Sequence, residues 1–141
     1  MRSSPVRTFS RVLLGTAFAI AGTNHLRDPT PYLAMMPGWL PSPRTLVAIS
    51  GAAEIAGGLG ILIPRTRNAA AIGLILLLIA IFPANLHVAL HGWPGMDIPR
   101  WALIARLPLQ LLLIAWVVFA CPGLTEYANL GLRRFSSIFR K

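Results

Sequence analysis

The apolar positions of this chain gather into four long runs, separated by short segments that hold most of the arginines and prolines. A helix crossing the hydrocarbon of a bilayer needs about 20 mostly apolar residues, and each run is of that order. The first covers roughly residues 9–26 and contains VLLGTAFAIAGT, and the second, 45–63, reads TLVAISGAAEIAGGLGILI. The third, 68–90, reads NAAAIGLILLLIAIFPANLHVAL, and the fourth, 101–121, reads WALIARLPLQLLLIAWVVFAC. The pattern predicts an all-α fold, an integral membrane bundle of four transmembrane helices forming one domain, with a basic tail over residues 122–141.

Composition sharpens this picture. Of 141 residues, 55% are hydrophobic and 12% charged, where an ordinary soluble domain has about 25% charged. So short a chain exposes too much surface to hide that apolar content in a core. A net charge of +9 would suit nucleic acid if the arginines shared one soluble face. They lie instead in small groups between uncharged runs, so the expected partner is the lipid bilayer and not nucleic acid. One cysteine, Cys121, excludes an intramolecular disulfide, a CxxC pair and a cysteine-rich zinc site.

The distribution of the charges predicts an orientation. With the runs threaded up and down, nine of the thirteen basic residues fall on one side: Arg2, Arg7, Arg11, Arg65, Arg67, Arg133, Arg134, Arg140 and Lys141. The other side holds Arg27, Arg44 and Arg100, offset by Asp28 and Asp97. The positive side faces the cytoplasm, so both termini are expected there, in a multi-pass protein of a bacterial-type plasma membrane. Arg2, Arg7 and Arg11 followed by Ala19-Ile20-Ala21 also resemble a cleavable signal. Three apolar runs follow, however, and cleavage would leave the termini on opposite sides, so the first run is read as a retained helix. Pro64-Arg65-Thr66-Arg67 reads as a short turn that makes the second and third helices antiparallel neighbours.

The outer connection, DPTPYLAMMPGWLPSP, is rich in proline yet carries Tyr32, Leu33, Met35, Met36, Trp39 and Leu40. Apolar and aromatic residues in a non-helical segment suggest a lid at the outer interface, level with Trp93 and Trp101. Anchoring in the headgroups explains them equally well.

Ionisable residues inside a spanning helix cost about 2.5–3.5 kcal/mol on insertion scales and normally face the bundle interior or a wet cavity. Glu54 lies near the middle of the second run and Arg106 inside the fourth; Asn24 and His25 end the first; Asn85 and His87 occupy the outer half of the third. Threading brings all of them to the outer half, which predicts one shared polar site. Ser50, Gly51, Gly57 and Gly58, three and four positions from Glu54, are expected to leave room around its carboxyl. Ala48, Ala52, Ala56 and Gly60 form a second small stripe suited to close packing. Arg106 and Gln110 share a face. Pro83 and Pro108 free the carbonyls of Ile79 and Ile104. On an ideal helix Asn85 and His87 point about 200° apart, so both can line one cavity only if the helix is distorted. An internal Glu54–Arg106 ion pair that fixes helix register is the structural alternative to a ligand or proton site.

His87 and His91 have the i, i+4 spacing of a metal-binding pair. Gly92 and Pro94 point to a helix end there, and only His25 and Glu54 remain as further ligands, so no metal is expected. Phosphate loops, nucleophile elbows and hydrolase acid pairs are absent from the sequence, and no catalytic residue can be assigned.

NHLRDPTPYLAMMPGWLPSP, LVAISGAAEIAGGLGILIPRTRNAAA, FPANLHVALHG and RLPLQLLLIAW together resemble the DoxX family of small four-helix membrane proteins over roughly residues 10–120. The family's relatives include a subunit of a thiosulfate:quinone oxidoreductase, also described as a terminal quinol oxidase component, and a mycobacterial partner of superoxide dismutase and a sulfurtransferase. The resemblance implies a four-helix bundle and a polar cluster at His25, Glu54, Asn85, Arg106 and Gln110, without assigning a catalytic step.

Three functions are compatible with the sequence. The first is a redox-associated membrane subunit that binds a quinone headgroup in the outer-half cluster, non-catalytic or accessory to a redox enzyme partner because the chain has no electron carrier of its own. The second is a small-solute or proton pathway through Glu54 and Arg106, weakened by the lack of an acid toward the cytoplasmic side. The third is a scaffold that anchors a peripheral enzyme through GLRRFSSIFRK, a segment that lipid attraction explains as well. Homo-oligomerisation is compatible with each.

Overall fold

The computed structural model describes residues 4–124, and among these the fold is all-helical, with no strand. The helices are α1 (Pro5–Arg27), α2 (Thr30–Ala34), α3 (Pro43–Gly60), α4 (Arg67–His91) and α5 (Arg100–Ala120). Proline opens the first turn of α1 and α3, where its fixed φ suits the helix and its missing N–H removes no bond. Gly92, at φ +85°, stops α4 in a backbone conformation that side-chain-bearing residues rarely adopt. Pro83 and Pro108 are accommodated inside α4 and α5 without ending them. The outer connection is not wholly irregular as expected, because residues 30–34 form the single turn α2. The expected basic tail lies outside the described residues from residue 125 onward.

α1 packs most extensively on α3, α3 on α4, α4 on α5, and α5 closes the ring on α1. Two glycine pairs set the α1–α3 distance. A methyl added at Gly15 would sit 2.7 Å from the Gly58 carbonyl oxygen, and one at Gly51 would sit 2.9 Å from that of Gly22. Each helix repeats its glycine after seven residues, two turns along one face. The expected contact stripe is therefore misplaced: Ala48, Ala52 and Ala56 are exposed and only Gly60 is buried. Gly51 and Gly58 serve the contact that those alanines were expected to make.

One end of the ring holds the α3–α4 turn, the start of α1 and the end of α5. Here Arg11, 4% exposed, donates from Nη1 to the Ala120 carbonyl (3.0 Å) and from Nη2 to Thr8 Oγ1 (2.9 Å). Arg67 Nε donates to the Ile61 carbonyl at 3.1 Å. Both arginines thus satisfy carbonyls left without partners at helix C-termini. Above this turn end lies the main apolar cluster, with Leu14, Phe18, Ile61, Leu74, Leu78 and Val117. A smaller cluster of Met35, Val88 and Leu103, flanked by Tyr32, Trp93 and Ile98, closes the opposite, lid end.

The outer face is apolar as well: Leu13, Ile20, Leu59, Leu76, Ile79, Leu111 and Leu112 are all exposed. Among the described residues two helices, α4 and α5, are long and apolar enough to cross a membrane, with mean hydropathies of 2.4 and 2.1 over their most apolar segments, of which 22% and 17% are buried, where the sequence predicts four such helices.

Candidate functional site

Between the two apolar clusters lies a cavity of about 980 Å³, lined by residues of all five helices. α1 contributes Asn24 and His25, α2 Tyr32, α3 Ser50 and Glu54, α4 Asn85 and α5 Arg106; Trp93 joins them from the α4–α5 connection.

Its polar walls are two one-way hydrogen-bond chains. In the first, Ser50 Oγ donates to the Val47 carbonyl (2.9 Å). With the hydroxyl proton used there, Ser50 Oγ accepts from Nδ1 of His25 at 3.0 Å. This places the ring proton on Nδ1 and turns Nε2 toward Glu54 Oε2 at 3.8 Å, too far for a hydrogen bond. Oε2 of Glu54 is buried and accepts no hydrogen bond among the described residues. Tyr32 lies on the other side of His25, with ring centroids 3.7 Å apart. Burial, then the nearby Glu54 carboxyl, push the Tyr32 phenol above its ordinary value.

In the second chain, Arg106 donates to Asn85 Oδ1 from Nη2 (3.1 Å) and Nε (3.4 Å). Asn85 Nδ2 donates to Gln110 Oε1 at 2.8 Å, and Gln110 Nε2 donates to the Leu78 carbonyl. That carbonyl is one position before Ile79, whose carbonyl Pro83 was expected to free. The Arg106 guanidinium stacks 4.9 Å from the Trp93 ring centroid, and Trp93 Nε1 donates to the Pro31 carbonyl at 2.9 Å. Arg106 is thereby tied, through Trp93, to the start of α2. The cavity has an acceptor pole, His25 Nε2 with Glu54, and a donor pole, Arg106.

His25, Glu54, Asn85, Arg106, Asn24 and Ser50 meet at one cavity, and Gln110 stands behind Asn85. His87 is not among the lining residues. α4 stays helical through Pro83, so the wide angle between Asn85 and His87 persists; the His87 carbonyl instead accepts from His91 Nδ1 (3.0 Å), and the two rings lie 4.5 Å apart. No group of three or more metal-ligating side chains forms among the described residues. Glu54 and Arg106 form no ion pair: Arg106 donates to Asn85 through Nε and Nη2 instead. Nor do Gly51, Gly57 and Gly58 leave room beside the carboxyl: α1 fills the space at Gly51 and Gly58, and Leu74 the space at Gly57. The roles of Tyr32 and Trp93 escaped the sequence reading, which placed both only at the interface; the sole signal was aromatic residues close in sequence to His25 and His91.

Residues 14–121 match the family model of a domain of unknown function, DUF8561, and the chain belongs to that family. No curated protein and no solved structure matches it.

Proposed function

We propose that this DUF8561 protein is a four-helix integral membrane protein with both termini cytoplasmic, which binds a quinone-type headgroup at its lid end as an accessory subunit of a redox enzyme. The observation that carries the reading is the orphaned Glu54 Oε2 facing His25 Nε2 in the same cavity as the Arg106 guanidinium. A quinol ring carries an O–H that can donate to the acceptor pole and a second oxygen that can accept from Arg106. Buried polar atoms without partners are costly in a fold, and a ligand with both functions removes that cost. The apolar exterior and the arginines at the turn end support the bilayer and the orientation, and the resemblance to DoxX proteins supports the redox setting.

A continuous proton or solute path fits less well, since the turn-end half is filled by Leu14, Phe18, Leu74 and Val117. The test is native mass spectrometry of the purified protein with a thermal-shift titration by a tail-less benzoquinone and its quinol. Retention of the quinol and a saturable shift, lost in Arg106→Gln, are expected. No retained quinone and no shift would overturn the reading.

A further inference from the structure

α3 and α4 touch at the turn end and separate toward the lid. Gly57 packs on Leu74 and Gly60 on Ala70, close to the turn that joins the helices. Leu46 and Ile49 lie eleven residues before Gly57 and Gly60, about 20° away on the helix, so all four share one stripe. At its lid end this stripe meets no α4 wall: Ile49 is 59% exposed and Leu46 36%, yet both line the cavity, as do Leu77 and Ala80 of α4. Ala80 is itself exposed. A residue that is both exposed and cavity-lining marks an opening: Asn24, Arg27, Asp28 and Met96 mark a polar one beside α2, and Leu46, Ile49 and Ala80 mark a second on the apolar side of the bundle beside Leu76 and Ile79.

From this geometry we infer that the occupant of the cavity is a membrane-borne amphiphile whose single apolar tail leaves between α3 and α4, past Leu46, Ile49, Leu77 and Ala80. The inference rests on the headgroup site proposed above and adds the ligand's class and route. All four residues at the opening are apolar, so the passage offers nothing to a hydrated solute and favours a hydrocarbon chain. The opening continues the polar cavity, so one molecule can reach both. The lid, tied through Trp93 Nε1 to Pro31, need not move for such a molecule to enter.

The experiment compares a tail-less benzoquinol with a decyl-substituted one carrying a terminal diazirine, using the full chain in lipid nanodiscs. Photolabelling is expected at Leu46, Ile49, Leu77 or Ala80. Ala80→Trp, at an exposed position that tolerates the larger side chain, is expected to weaken the decyl compound about tenfold, the effect of uncovering about two methylenes, and to leave the tail-less one unchanged. Labelling confined to Tyr32, Leu40 or the α1–α5 side, or equal effects of Ala80→Trp on both compounds, would overturn the route while leaving the headgroup site standing. Failure of the tail-less compound to bind wild type would instead remove the headgroup reading, and the labelling pattern would still decide the route.

Discussion

Arg106 donates through Nη2 to Asn85 Oδ1 at 3.1 Å, and this bond sets the direction of everything behind it. With Oδ1 committed to a cation, Asn85 can only donate onward to Gln110, and Gln110 only to the Leu78 carbonyl. A chain headed by a charge and ended on a fixed carbonyl orders its amides strongly. It also leaves Glu54 without a cationic partner, across the cavity.

Gln110 is 4% exposed, and Gln110→Leu strands Asn85 Nδ2, whose partner is Gln110 Oε1, while the Leu78 carbonyl keeps its place in the helical ladder of α4. A loss of about 1–3 kcal/mol is expected, read as a lower thermal midpoint in detergent. An unchanged midpoint would show that the chain contributes nothing.

Glu54→Gln should separate a ligand role from a structural one. The neutral amide keeps the shape and can donate to His25 Nε2, so folding stability should hold within about 0.5 kcal/mol. Quinol affinity should fall about tenfold, the loss of one charge-assisted hydrogen bond. A strongly destabilised variant would mark Glu54 as a structural residue.

Two glycines, one in an α1–α3 pair and one outside them, give opposite expectations. In Gly58→Ala the new methyl would lie 2.6 Å from the Gly15 carbonyl oxygen, a backbone contact that cannot swing away, and about 1–3 kcal/mol should be lost. Gly73→Ala meets nothing within 4 Å and should gain about 0.5–1 kcal/mol from helix propensity. Thermal unfolding of the two variants side by side decides it.

Orientation can be read in cells. In a Cys121→Ala background, a membrane-impermeant maleimide should label Gly38→Cys, at an exposed position in the α2–α3 connection, and spare Arg65→Cys until the cells are opened. The reverse pattern would invert the topology, and labelling of both in intact cells would argue against a bilayer between them.

The long helices were legible because runs of Leu, Ile, Val and Ala bounded by arginine and proline leave few alternatives. The shared polar site was legible because charges at Glu54 and Arg106 are too costly to face lipid, so their presence points inward. The partners of those charges were not. Asn85 was expected in the cluster, but that it rather than Glu54 holds Arg106 depends on the relative height of α3, α4 and α5, which no local pattern encodes. The close-packed face of α3 was misread for a similar reason: alanines and glycines both look small, and only the carbonyl-to-Cα approach at Gly15 and Gly22 distinguishes them.

The most direct measurement is the structure of the protein with the decyl-substituted benzoquinol bound. One ring oxygen should lie within about 3.2 Å of an Arg106 nitrogen, a hydrogen-bond distance, the other should face Glu54 Oε2, and the tail should run between Ile49 and Ala80. A ring seated outside the cavity, or inside it without contact to either pole, would contradict the site.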